Sequence, residues 1–257
     1  MAIDLKTLRR GTVATPMQAL LYAPHGIGKT SFAAYMPEPI FLRCEDGLGM
    51  LDVATFDLFR TYDDLMEAFG ALFQQEHSFQ TVVVDSLDWL EPIIWAEACR
   101  RNGWSTIEDP GYGKGYIAAA SIWREVLAAL SDLRAQRNMS VMLLAHVEVK
   151  EYKSPDTDPY DRYQPKLHKM ASAIVQENVD AIFFMNYRVS LIRTDPKDKN
   201  SKQRGVGGGQ RVLYTEERPA FLAKRRWPMP DAIDLPEEPA MMWPTVAQFI
   251  PFYNRGA

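Results

Sequence analysis

The stretch Ala23-Pro24-His25-Gly26-Ile27-Gly28-Lys29-Thr30 decides how the rest of this chain is read. An apolar run, Ala19-Leu20-Leu21-Tyr22, leads into it, and Ser31-Phe32-Ala33-Ala34 follows as the start of a helix. Strand, Gly-rich loop, Lys-Thr and helix in that order make a P-loop. Small residues let backbone N–H groups turn inward around phosphate oxygens, and a helix N-terminus adds partial positive charge. The expected nucleotide cradle is therefore Pro24, His25, Gly26, Ile27, Gly28, Lys29, Thr30 and Ser31. Lys29 is placed to reach the β- and γ-phosphates and the Thr30 hydroxyl to hold Mg²⁺, with ATP as the expected ligand. Ala23 stands where the pattern G-x-x-x-x-G-K-[ST] has its first Gly, and it is small enough to fit. The competing reading is a Gly-rich turn that happens to end in Lys-Thr; the flanking strand and helix speak against it.

Working outward, Pro37-Glu38-Pro39 ends the helix, since Pro cannot continue it. Ile40-Phe41-Leu42 reads as a short, fully apolar strand of a parallel sheet covered on both faces. It runs into Arg43-Cys44-Glu45-Asp46-Gly47, which puts acidic residues at a strand's C-terminal end, where α/β sheets bind ligands. Residues 61–76 predict a helix, with Leu65, Phe69, Leu72 and Phe73 on one face and a capping box from Thr61 and Asp64. Thr81-Val82-Val83-Val84-Asp85 has the form of a Walker B strand, whose Asp lies beside the P-loop in the Mg²⁺ shell. A buried strand ending in a turn Asp is the plainer alternative. Val141 to His146 is a further buried strand with a polar end; a γ-phosphate sensor and a satisfied core histidine both fit His146.

Composition sets limits. The 257 residues fit one large domain, or one domain with a small appendage. A net charge of −4 excludes a whole-molecule basic field, so nucleic-acid contact must come from local patches. Cys44 and Cys99 stand far apart in apolar surroundings, as buried free thiols do. The four histidines show no metal-ligand spacing. No apolar run approaches ~18 residues and no signal-peptide pattern opens the chain, so a soluble, cytoplasmic, reducing setting is expected.

Between these strands, residues 87–101 and 116–137 predict helices. The loop between them carries Trp104, Tyr112 and Lys114; its Gly111-Tyr112-Gly113-Lys114-Gly115 lacks a following Ser/Thr and a preceding strand, and reads as a mobile surface loop. Residues 148–166 are the least regular, with Pro155, Pro159 and Pro165. They interleave Lys150, Tyr152, Lys153, Tyr160, Arg162, Tyr163 and Lys166, a mixture that suits single-stranded nucleic acid and equally a solvated loop or subunit contact. A helix follows over 167–178 and a strand over 180–185. Residues 188–194 and 210–215 predict a hairpin (about 187–215 overall) with a polar tip over 195–209. From Lys197 to Arg226 there are nine Lys/Arg against three Asp/Glu, a basic patch in an acidic protein. Residues 227–257 are Pro-rich and read as an extended tail packed on the 1–226 core, ending in a short helix started by Pro244. The alternation of strands and helices gives an α/β fold, mostly parallel, with helices on both faces.

Several stretches carry a resemblance to RecA-like P-loop ATPases, and more closely to short phage-type members such as the Sak-type single-strand annealing proteins and phage ATP-binding proteins. They are the P-loop, residues 41–49, TVVVDSLDWL at 81–90, GYGKGY at 111–116, LLAH at 143–146, PYDRYQPKLHK at 159–169 and VLYTEERPAFLAK at 212–224. The resemblance implies a RecA-like core with Glu45 activating the attacking water, Asp85 as the Walker B aspartate and His146 at the γ-phosphate sensor. It implies that residues 103–115, with Lys114, and residues 148–166 are the two DNA-binding loops, and that Lys224 and Arg225 reach a neighbour's ATP. The implied protein is a homo-oligomer, filament or ring, that binds or anneals single-stranded DNA with ATP between subunits; a single-strand-binding protein is the implied loading partner. A small-molecule P-loop kinase and a non-catalytic ATP-binding assembly module are the alternatives.

Overall fold

Strand β1 (Gln18–Ala23) is buried along its whole length and delivers the chain into the Gly-rich loop and helix α1 (Lys29–Ala34). The chain continues through β2 (Pro39–Arg43), β3 (Ala54–Thr55), α2 (Tyr62–Gln74), β4 (Thr81–Asp85), α3 (Leu87–Asn102), α4 (Lys114–Arg137), β5 (Ser140–Ser154), β6 (Thr157–Pro165) and α5 (Lys169–Asn178). It ends with β7 (Ala181–Tyr187), β8 (Ser190–Arg193), β9 (Gln203–Val206), β10 (Arg211–Tyr214), β11 (Ala232–Leu235) and α6 (Pro239–Ala247). The structure is a computed structural model that describes residues 11, 13–193 and 203–254. The N-terminal arm through residue 10 and most of the polar tip, residues 194–202, lie outside the described residues.

Among the described residues, nine strands form one sheet in the order β11-β10-β7-β1-β5-β4-β2-β3, with β6 off this path on β5. Every pairing from β7 across to β3 is parallel. β10 and β11 add two antiparallel strands beyond β7. Leu20, Tyr22, Val82, Val84 and Leu143 pack with Leu65, Phe69, Leu90, Trp123 and Val175 of α2, α3, α4 and α5. The alternate residues Leu21, Val83, Met142 and Phe183 pack with Phe32 of α1 and Met242 and Trp243 of α6 on the other face. Both faces are dry, which is why these strands read as continuous apolar runs rather than as alternation. This is the mostly parallel α/β sheet, helices on both faces, that the strand–helix order predicts.

Local signals set the helix ends. Thr61 Oγ1 accepts from Asp64 N at 3.1 Å and Asp64 Oδ2 accepts from Thr61 N at 2.9 Å, a complete capping box at the start of α2. Gly103, at φ 69°, closes α3 in the left-handed conformation that a residue with a Cβ resists.

Three expectations are corrected. Residues 148–166 are not irregular: β5 runs past the sheet and pairs antiparallel with β6, from Val147↔Pro165 out to Ser154↔Thr157. The prolines are compatible because Pro155 lies in the turn, Pro159 falls at the register irregularity between the Tyr152↔Tyr160 and Ser154↔Thr157 pairs, and Pro165 ends the strand. The hairpin after β7 returns through β9, not through 210–215; β10 instead joins the main sheet on β7, where Val212 and Leu213 are fully buried. The terminal helix starts at Pro239 in its first turn, with Pro244 inside it, and β11 makes this segment part of the sheet.

Candidate active site

Parallel pairing brings four strand ends together. Ala23 of β1 is level with His146 of β5, and Arg43 of β2 with Asp85 of β4. The backbone N–H of Cys44 donates to Asp85 C=O at 2.8 Å and ties the last two ends. These ends surround a cleft of about 320 Å³ lined by Lys29, Thr30, Ser31, Glu45, Asp85 and His146. The P-loop forms its floor. Gly26 and Gly28 take φ values of 71° and 111°, which any other residue would adopt only under strain. Ile27 turns inward and is fully buried in the α1-side core, anchoring the loop.

The polar groups are organised around one point. Thr30 Oγ1 donates to Asp85 Oδ2 at 2.9 Å. Lys29 is 6% exposed, and its Nζ donates to the carbonyls of Ala23 and Pro24, each at 3.2 Å. Burial pulls the Lys29 ammonium below its ordinary pKa, against the opposing pull of Asp85, Asp88 and Glu45. Burial pushes the Asp85 carboxyl up to about 6; the Thr30 bond and Lys29 work against that rise and Glu45 adds to it. Ser86 Oγ donates to Glu45 Oε1 at 2.6 Å, which orients the carboxylate over the cleft. His146 is held by Asp88, whose Oδ1 accepts from its backbone N at 2.9 Å and whose Oδ2 lies 2.8 Å from its Nδ1. Burial pushes the Cys44 thiol behind the cleft up to about 12, away from the thiolate form.

Thr30 and Asp85 offer hard oxygen donors side by side, the chemistry of a Mg²⁺ site completed by phosphates and water. No group of three or more His, Cys, Asp or Glu able to hold a metal occurs among the described residues. A larger cleft of about 580 Å³ opens at the other end of β1, beside Met17 and Trp227; there Arg134 and Arg226 hold Asp180.

The remaining expected residues lie elsewhere. Lys224 pairs its backbone with Ile182 of β7 and its Nζ with the Gln176 carbonyl. Arg225 bonds Glu216 and Asp231. Neither is brought to the P-loop of its own chain by these partners. Lys114 is exposed at the first turn of α4. On the β5–β6 hairpin, Lys150 pairs with Glu148 at 2.6 Å and Lys153 with Glu151 at 3.1 Å. Tyr152 and Tyr160 face each other across the strands, ring centroids 5.4 Å apart. Arg162 and Tyr163 turn inward: Arg162 is 5% exposed, bonds Glu217 and the Phe221 carbonyl, and lies under the Tyr152 ring; Tyr163 stacks on Phe184. Lys166 is exposed at the hairpin base.

Sequence reading missed Ser86, Asp88 and the ring contact of His25. Asp88 was legible in one respect: it sits three residues after Asp85, one helical step past the strand end. Its partner, His146, lies 58 residues away, and nothing local marks the pair.

Comparison with known proteins bears on the family and the fold. The SPbeta prophage-derived uncharacterized protein YorG of Bacillus subtilis (strain 168) is 22% identical over 195 residues, covering 72% of this chain and 56% of that protein. The chain thus spans a little over half the length of that relative. The crystal structure of the RadB recombinase aligns over 90% of this chain and 91% of its own, with a TM-score of 0.50 at 14% identity, a likeness of fold. No helix among the described residues is long and apolar enough to cross a membrane. The AAA domain family (AAA_24) matches residues 15–227, most of the chain, and the protein belongs to that family of P-loop ATPases.

Proposed function

We propose that this protein hydrolyses Mg-ATP in the cleft at the P-loop and couples it to single-stranded DNA, as a recombination or annealing protein of phage type. The observation that carries the ATPase reading is the convergence of Lys29, the Thr30–Asp85 pair and the Ser86-oriented Glu45 on one cleft. Lys29 leaves its carbonyl partners for the β- and γ-phosphates. Thr30 and Asp85 hold Mg²⁺, which supplies charge neutralisation at the phosphates. Glu45 orients and deprotonates the attacking water.

The cleft is open on the solvent side, so a second copy completes it, with Lys224 or Arg225 of that copy as the cation that stabilises the transferred phosphoryl group. The DNA reading is supported by the prophage-derived relative, the recombinase-like fold and the Tyr152–Tyr160 pair, on which bases can stack. It draws less on charge: residues 148–166 hold five carboxylates against four cations.

A phosphoryl-transfer reading keeps one specific support. A cleft of about 310 Å³, lined by Asp88, Glu91, Trp95, Lys150 and His168, adjoins the active site through Asp88 and could seat an acceptor. ATP hydrolysis measured with and without single-stranded DNA separates the two. Stimulation by DNA is expected; turnover that ignores DNA and requires a small acceptor would favour the kinase.

A further inference from the structure

Beyond β7 the arginines are paired with carboxylates: Arg188 with Asp234, Arg218 with Asp231, Arg225 with Glu216 and Asp231, and Arg226 with Asp180. Arg211 is different. Its Nη1 donates to the Glu237 carbonyl at 3.3 Å, its Nε is buried without a partner, and no carboxylate of the described residues pairs with it.

The topology puts this cation behind the P-loop. β10 runs antiparallel to β7, and Arg211, its first residue, is level with Tyr187, the last of β7. β7 is parallel to β1, so Arg211 stands at the sheet end where β1 enters the loop. Side chains alternate along a strand, and Leu213, two residues on, packs on the face of α1 and α6. Arg211 therefore lies on the α1 face. A Cβ built on Gly28 would lie 3.7 Å from Met242 Cε and 3.9 Å from Arg211 Nε, ordinary van der Waals contact. These two side chains back the loop where Gly28 holds φ 111°. Met242 is buried with Ile27, the anchor of the loop. Glu237 and Met242 both follow residues 15–227, so the seat of Arg211 is built by the segment after the matched AAA domain.

A guanidinium is charged whatever its surroundings. Partly buried without a counter-ion, it loses hydration and gains no partner. A nucleotide brings several negative charges to the inner side of the same loop. Lys29 must leave the Ala23 and Pro24 carbonyls to meet them, whereas Arg211 is already in place. We propose that Arg211 is a positioning residue for nucleotide binding: seated behind Gly28 by Met242 and the Glu237 carbonyl, it takes the phosphates inside the loop as its counter-charge and holds the loop around them. This rests on the P-loop cleft binding ATP, as set out above. Arg211 does not line the cleft, so its effect falls on affinity and not on the turnover of bound ATP.

The test pairs nucleotide affinity with stability of the nucleotide-free protein. Arg211→Met keeps the bulk of the side chain and removes the charge. Arg211→Gln removes the charge and keeps an amide donor for the Glu237 carbonyl. Titration calorimetry of the whole protein with Mg-ATPγS should show affinity about tenfold weaker in both. Urea unfolding without nucleotide should find Arg211→Met as stable as the wild type or more so, because an unpaired cation has been removed. Arg211→Lys, which restores the charge as a point, should keep affinity within about threefold. Turnover at saturating ATP should match the wild type in all three. Wild-type affinity in either neutral variant would overturn the proposal. So would affinity and stability lost together in the neutral variants and in Arg211→Lys alike, the mark of a packing role alone. Failure of the wild type to bind ATPγS would overturn the P-loop reading itself, and this inference with it.

Discussion

The P-loop cleft and the β5–β6 hairpin are built from similar residues and use them in opposite ways. In the cleft, Lys29 and Thr30 of α1, Glu45 after β2, Asp85 at the end of β4 and His146 of β5 converge on one point, with Lys29, Asp85 and His146 buried. On the hairpin, Lys150 and Lys153 are spent on the carboxylates two residues before them, and Arg162 is turned into the body of the protein. Convergent charge is held in tension by burial, as the raised Asp85 and lowered Lys29 pKa values record. Paired surface charge is relaxed and worth little, typically under ~1 kcal/mol per exposed pair. Function dependent on charge should therefore be concentrated in the cleft and diluted on the hairpin.

The sharpest way to break this contrast is Lys29→Ala. It should cost at least about 100-fold in ATP affinity, since Lys29 is the one Lys or Arg among the described residues that line the cleft and its charge-assisted bonds to phosphate go with it. Isothermal titration with ATP checks it, and affinity like the wild type would refute the cleft assignment. Next comes Asp85→Asn. Folding favours the protonated form of Asp85, because the folded value of about 6 lies above the ordinary 3.8. That contribution is complete below the ordinary value and lost as pH rises through about 6. The Asn variant stays neutral at every pH, so without nucleotide it should be about 3 kcal/mol more stable than the wild type at pH 8 and no more stable at pH 3.5. Urea unfolding at the two pH values measures this; equal stability at both would show that burial does not strain Asp85.

How much of this was legible follows from where each partner sits in the chain. The P-loop, the Asp85 strand and the Thr61 capping box are local patterns, readable because backbone geometry and chemistry lie within a few residues. The parallel sheet was legible for the same reason, each strand being a short apolar run between helices. The β5–β6 hairpin was not. Its register depends on cross-strand pairs such as Val149↔Tyr163 and Lys150↔Arg162, and its three prolines argue for a loop until one sees that they fall at a turn, a register irregularity and a strand end. β10 was given the wrong partner because Val212 and Leu213 suit any strand, and it is pairing with β7 in the main sheet that buries them. The Asp88–His146 bond was hidden by sequence distance alone.

Smaller effects sharpen the contrast from the hairpin side. Arg162→Met should cost about 2 kcal/mol of stability, since it removes a buried cation with a carboxylate, a carbonyl and a ring as partners. Its effect on DNA binding should be no larger than that stability loss explains. Neutralising Lys150 and Lys153 together should lower single-strand affinity only a few-fold, with the slope of log K against log salt falling by about 1. A loss of 100-fold there would mean that the ion pairs to Glu148 and Glu151 open on binding and that the hairpin is a charge-driven site after all.

The most direct test of the central claim is Glu45→Gln, with ATP binding and ATP turnover measured on the same preparation. Ser86 can still hold the amide, so the cleft should keep its shape and ATP affinity should stay within about threefold of the wild type. Turnover should fall by about 100-fold or more, the usual share of a positioned general base. Turnover equal to the wild type with ATP still bound would contradict the account and place the base on another residue of the cleft.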